Sequence, residues 1–251
     1  MFHTILVNPL FNLLVLIYAL LPGHDFGVAV IVMTIIIRLV VWPLVNKQLH
    51  SQKAMQELQP EVAKIKVKAK GDRQKETQML MELYKEKEIS PFASLLPLLI
   101  QLPVFIALYA VLREIVVAGQ IAKLTYEPLR HLGVIKSILA DSKVFKPTLY
   151  GLVDLTKPSL VLAIVAALSQ FWQTKQIMPA TPTPGSPNLN FAIYMFPLLT
   201  LVIALRLPSA LALYWAVTSL MAILQQQLVL KRDAEEMEEE DEKKDKTSVR
   251  S

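Results

Sequence analysis

The apolar run Phe26–Val45, interrupted by a single charge at Arg38, does most to limit what this chain can become. A helix of roughly 20 residues rises about 30 Å, the thickness of a bilayer's hydrocarbon core. Four further runs follow, at Phe92–Leu112, Thr156–Gln173, Leu189–Leu205 and Leu207–Leu230. None alternates apolar with polar positions, as barrel strands do. Hydrophobic residues make up 53% of the 251, and the mean hydropathy of +0.43 lies above that of soluble domains. The sequence therefore predicts an all-α polytopic membrane protein with five transmembrane helices, at 26–45, 91–115, 156–175, 189–205 and 207–230.

The segments between the runs differ in kind. Leu10–Leu21 is apolar but short, and Pro22-Gly23 ends it in a turn. Residues 1–25 are expected to form an amphipathic helix in the membrane interface, its apolar face toward lipid, with a sixth short span as the rival reading. Asn46–Glu88 carries ten Lys/Arg and seven Asp/Glu. Within it Met55, Leu58, Val62 and Ile65 recur at helical spacing, Lys70-Gly71-Asp72-Arg73 signals a turn, and Leu80, Leu83 and Tyr84 form a second stripe. Residues 46–90 thus read as a helical hairpin, with Pro60 kinking or restarting its first arm. Residues 116–155 read as a mixed loop with weak helical patches, and 176–188, containing Thr181–Pro187, as a short connector. Residues 231–251 read as a disordered acidic tail.

Charge sets the orientation. No Lys or Arg precedes the first run and ten follow it in the hairpin, which places the N-terminus outside and the hairpin in the cytoplasm. Five spans then put the C-terminus in the cytoplasm as well. Arg113–Lys157 holds seven Lys/Arg on the outer side, fewer than the ten of the hairpin. The N-terminus lacks the marks of a signal or transit peptide, which points to a bacterial plasma membrane.

Several chemistries have no residues to support them. There is no cysteine, so disulfides, thiolate chemistry and lipid-modified cysteine are excluded. His3, His24, His50 and His131 show no ligand spacing, and with seven glycines there is no phosphate-binding loop. No cofactor, metal, direct DNA contact or enzymatic reaction is expected.

Arg38 is the candidate functional residue. A cation at mid-span costs about 2.5–3.5 kcal/mol on insertion scales, so intramembrane charges mark function by default. The competing reading is snorkelling toward an interface at Trp42-Pro43. Thr34 lies one turn earlier on the same helical face, and Gln101, Ser169, Gln170, Gln173, Thr218, Ser219 and Gln225 add polar positions inside other runs. Singly these are ordinary packing glue. Together with Arg38 they are consistent with a hydrated cavity open to the cytoplasm.

Three strings carry a family resemblance: GVAVIVMTIIIRLVVWPL (27–44), SPFASLLPLLIQLPVFIALY (90–109) and LPSALALYWAVTSLMAILQQ (207–226). They resemble, in order, the first, second and last core spans of the YidC membrane-protein insertases and their mitochondrial and chloroplast relatives. The resemblance implies five helices around a hydrophilic groove, open to the cytoplasm and lipid and closed outside. It puts the groove arginine at Arg38 with Thr34 beside it, and substrate contacts at Gln101, Phe105, Gln170, Tyr214 and Trp215. It further implies insertion of nascent transmembrane segments without nucleotide hydrolysis, by a monomer acting alone or with the Sec translocon. Signal-recognition machinery or the ribosome would engage hairpin 46–90, because nine acids against two lysines in Asp233–Asp245 would repel RNA phosphate from the tail. The last span reads Pro208-Ser-Ala-Leu where the family more often has a glycine. A transporter or channel using Arg38 as a substrate site is the alternative class, though no internal repeat supports it. A third is a scaffold whose spans only anchor the hairpin.

Overall fold

The computed structural model describes residues 1–87, 96–115, 117, 119–177 and 189–248. Residues 88–95 and 178–188, with the predicted hairpin's last residues, the start of the second span and most of the 176–188 connector, lie outside the described residues. The described chain is mostly helical. One π-helical turn, His3–Val7, leads into α1 (Asn8–Leu20). Then come α2 (Phe26–Val40), α3 (Trp42–Glu57), α4 (Gln59–Ala69), α5 (Arg73–Glu86) and α6 (Leu96–Ile115). Three short helices follow, α7 (Gln120–Leu124), α8 (Glu127–Arg130) and α9 (Gly133–Ala140). Beyond them lie strands β1 (Thr148–Leu149) and β2 (Val153–Asp154), then α10 (Leu160–Ile177), α11 (Leu189–Ala204) and α12 (Ser209–Ser248).

Within the described residues His3–Leu20 alone is a single helix long and apolar enough to cross a bilayer. Phe26–Val40 and Trp42–His50 form a second such unit, bent by 59° at the break. The break has a local cause. Pro43 has no N–H to donate to Leu39, and Val41 takes a non-helical ψ near 0°. The expected span 26–45 is therefore helical to Val40 and turns a corner at Trp42.

The N-terminal helix departs from expectation. Instead of laying its apolar face on lipid, α1 turns it into the protein, where Phe11, Leu14, Val15 and Ile17 join a core shared with α2 and α6. Burying each such side chain contributes about 1.5–3 kcal/mol. Asn12 fixes the helix to the loop end of the bundle, since its Nδ2 donates to the Leu124 carbonyl at 3.0 Å and its Oδ1 accepts from Tyr126 N–H at 2.6 Å.

The polar segment folds as two antiparallel arms. Leu58 breaks the first arm, and Pro60 restarts it in the first turn of α4. Lys70 and Gly71 both adopt positive φ, and Asp72 caps α5 by accepting from Gln74 and Lys75 N–H. Leu58, Val62, Ala69 and Leu83 are buried along this segment, and Glu61 on α4 pairs with Lys87 at 3.5 Å.

The loop expected between the second and third spans is more ordered than its sequence suggests. Its two short strands pair antiparallel, Leu149 opposite Val153. Asp25 caps α2 by accepting from Val28 N–H at 2.8 Å, and its other oxygen accepts from Tyr150 N–H. The N-terminus of α12 is held in turn: Ser209 N–H donates to the Lys157 carbonyl and Ala210 N–H to that of Leu155, at 2.9 and 3.1 Å. Strand β1 sits so close to α2 that any Cβ at Gly27 would meet Leu149 backbone at 2.9 Å. The Thr156 hydroxyl and Lys157 hold the Asp154 carboxyl below its ordinary range.

Helix α12 corrects a further expectation. The tail from Lys231 continues α12 without a break to Ser248, where disorder is predicted. No glycine or proline follows Pro208, and Glu239/Lys243, Glu240/Lys244 and Glu242/Lys246 stand four apart, acid first, the helix-favouring order. Low apolar content argued for disorder; it does not prevent a helix that already has a nucleus.

Large apolar side chains cover the outside of the bundle. Val161, Leu168 and Trp172 on α10, Tyr194, Phe196 and Val202 on α11, and Leu220, Leu224 and Leu228 on α12 are all exposed. Soluble proteins rarely expose contiguous apolar surface on this scale, whereas lipid accepts it.

Candidate functional site

Inside that apolar shell, polar side chains of α2, α3, α6 and α10 converge on α12. Arg38 stands in the last turn of α2, where a cation interacts favourably with the helix dipole. Its guanidinium turns inward and donates from Nη2 to the Thr218 backbone carbonyl at 2.9 Å. Among the described residues no carboxylate lies within salt-bridge distance of it. The Thr218 hydroxyl is buried beside that of Tyr214.

One turn earlier on α12, the Tyr214 hydroxyl accepts from Gln101 Nε2 of α6 at 2.6 Å. Phe105, one turn beyond Gln101, packs on Trp215 with ring centroids 5.3 Å apart and planes tilted by 54°. Across the third interface Ser219 donates to Gln170 Oε1 at 3.3 Å, and the Thr174 hydroxyl donates to the Gln170 carbonyl at 2.8 Å. At the end nearest the hairpin Gln225 Nε2 donates to the Trp42 carbonyl at 3.2 Å and to Asn46 Oδ1 at 2.8 Å. That carbonyl sits at the start of the corner, so Gln225 fastens the elbow to α12.

Six of the seven residues singled out in the sequence belong to this assembly, as two direct pairs (Gln101–Tyr214, Phe105–Trp215) and two anchors on α12 (Arg38, Gln170). Thr34 stands apart. It is fully buried, and its hydroxyl donates to the Val30 carbonyl of its own helix at 2.6 Å.

Thr218, Ser219 and Gln225, polar positions already read from the sequence, complete the assembly together with Thr174 and Asn46, which that reading did not single out. A signal for Asn46 was available, since it follows Trp42 by four residues. What the spacing could not give was which helix each would face. A row of one cation, amides and hydroxyls within a bundle greased on its outside can solvate a polar chain segment beside lipid. It offers no nucleophile–base pair, and no cluster of metal-binding side chains is found among the described residues.

The sequence profile of the 60Kd inner membrane protein family matches residues 17–237. The chain is 33% identical over 210 residues to a membrane protein insertase YidC of Fusobacterium nucleatum, covering 84% of this chain and 88% of that relative. It is 35% identical over 207 residues to the YidC of Syntrophobacter fumaroxidans and 30% over 237 residues to that of Brucella suis. Those alignments cover 81% and 93% of this chain but 34% and 37% of the two relatives, so the chain spans little more than a third of their length. These matches show that the chain belongs to the 60Kd inner membrane protein family, alongside the YidC membrane protein insertases.

Proposed function

We propose that this protein is a membrane protein insertase that passes nascent transmembrane segments from the cytoplasm into the bilayer. The observation that carries the proposal is Arg38, inside an apolar shell, unpaired by any carboxylate among the described residues and turned toward Thr218. In this reading 26–45, 91–115, 156–175, 189–205 and 207–230 cross the plasma membrane, with the N-terminus outside. Arg38, Gln101, Gln170 and Tyr214 line a wet groove open toward the hairpin, with Phe105 and Trp215 as its apolar lip and Thr34 as packing behind Arg38. The loop clasped onto α2 and α12 closes the outer end.

The mechanism is electrostatic and hydrophobic. A segment inserting from the cytoplasm must carry a polar tail through hydrocarbon, and each unsatisfied backbone group there costs several kcal/mol. Amides and hydroxyls along α12 replace that tail's water, and Arg38 attracts its acidic residues. The apolar part of the substrate then partitions sideways into lipid, a transfer that is downhill without nucleotide hydrolysis. Anionic tails gain most. Hairpin 46–90 is the contact for signal-recognition machinery, the ribosome or the Sec translocon.

Complementation of an insertase-depleted strain tests this, with a single-span substrate bearing an acidic outer tail. Arg38→Lys should restore insertion and Arg38→Ala should cut it at least tenfold, the equivalent of about 1.4 kcal/mol. Insertion by Arg38→Ala at the wild-type level would remove the charge from the mechanism.

A further inference from the structure

We infer that the loop end of the bundle binds one phospholipid, with its phosphate on Arg113 and one acyl chain along α6. A cavity of about 120 Å³ opens where the N-terminal ends of α2 and α12 meet the C-terminal end of α6. Phe26, Leu112 and Leu155, all nearly inaccessible, form its floor, and the more open Tyr109, Arg113 and Thr156 form its rim. The floor is apolar and the rim carries one cation and two hydroxyls.

Arg113 is available to a ligand. It has no ion pair among the described residues, and Asp154, two residues before Thr156 of the rim, is already engaged: it accepts from the Thr156 hydroxyl at 2.6 Å and pairs with Lys157 at 3.1 Å. A planar guanidinium with free donors suits a phosphate monoanion, which it can hold through two parallel hydrogen bonds.

The helix leading to the cavity supplies the second half of the site. Leu102, Ile106, Tyr109 and Arg113 recur at spacings of three and four, which puts them on one face of α6. The first three are exposed by 45%, 52% and 37%. Along the helix the stripe extends for about 16 Å, close to half of a roughly 30 Å hydrocarbon core. A molecule with a phosphate at one end and a chain one leaflet long matches the rim and the stripe together. A free phosphate would use the cation alone.

The inference rests on the membrane-spanning reading and is independent of insertase activity. Failure at Arg38 leaves it standing, and failure at Arg113 leaves the insertase reading standing. Native mass spectrometry of the full chain, released from mild detergent, tests it with phosphatidylglycerol, diacylglycerol and inorganic phosphate as probes. One phosphatidylglycerol should be retained and diacylglycerol lost. Arg113→Gln should lower retention about tenfold and Arg113→Lys should recover most of it, as expected for a hydrogen bond to a charged group. Equal retention by Arg113→Gln would reduce the bound lipid to the ordinary shell around any membrane helix and overturn the site. Equal retention of diacylglycerol would overturn the role of the phosphate. Displacement of the lipid by millimolar inorganic phosphate would show an anion site with no lipid specificity.

Discussion

Gly27→Ala would place a methyl group where the loop hairpin already lies. The new Cβ would stand 2.5 Å from Leu149 Cδ1, 2.7 Å from its Cβ and 2.9 Å from its Cα. A rotamer change can withdraw Cδ1, but Cβ and Cα move only with the strand. That strand is held by its pairing to Val153 and by the bond from Tyr150 N–H to Asp25. Overpacking of this kind costs about 1–3 kcal/mol, and loss of the charged hydrogen bond adds about 1.5–3 kcal/mol if the hairpin lifts away. Alanine's better helix propensity offsets at most about 1 kcal/mol. The net destabilisation is about 1.5–5 kcal/mol, or roughly 3–20 °C in melting temperature for a chain of this size. Thermal unfolding in detergent, followed by tryptophan fluorescence, measures it directly. Gly133→Ala is the control, because nothing lies within 4 Å of a Cβ there; it should melt at or slightly above wild type. A Gly27→Ala protein that melts like wild type would refute the seating of the hairpin on α2, and with it the physical basis for a sealed outer end.

Gln225→Leu leaves the Trp42 carbonyl without its side-chain donor; hydrogen exchange should quicken at residues 42–57, with a stability loss of about 1–3 kcal/mol. Asn12→Ala frees the Leu124 carbonyl and Tyr126 N–H together, so limited proteolysis should cut the 119–131 segment several-fold faster while the rest of the bundle stays protected. Asp154 has a folded pKa below its unfolded value, so its stabilisation is complete above about pH 4 and is lost as pH falls through the lower, folded value. Exchange protection of residues 148–160 should therefore be flat from about pH 5 to 8 and decline only under acid, and Asp154→Asn should abolish that acid step.

Helicity, the hairpin turn and the isolation of Arg38 within an apolar run were all legible because each rests on a local signal. Helix period exposes amphipathic stripes, Lys70-Gly71-Asp72 spells a turn with an N-cap, and a charge in an apolar run stands out wherever the run packs. The inward face of α1 was not legible, since an apolar stripe looks the same against lipid and against protein. The strands at 148–154 were missed because two-residue strands have no period, and their register follows from contact with α2. The partner of the Thr34 hydroxyl was not legible for a related reason: sharing a helical face with Arg38 does not tell that the hydroxyl donates within its own helix. The tail was read from composition, which measures the lack of a core and says little about continuation of an existing helix.

The corner at Trp42 fixes a footprint. With α2 along the bilayer normal, α3 leaves at the 59° measured there. The nine residues Trp42–His50 then rise only about 7 Å while travelling about 12 Å sideways. The headgroup layer is roughly 5–8 Å deep on each side. In the insertase reading proposed above, that lays the start of the hairpin along the membrane surface, to one side of Arg38, with Lys47 and Lys53 on it.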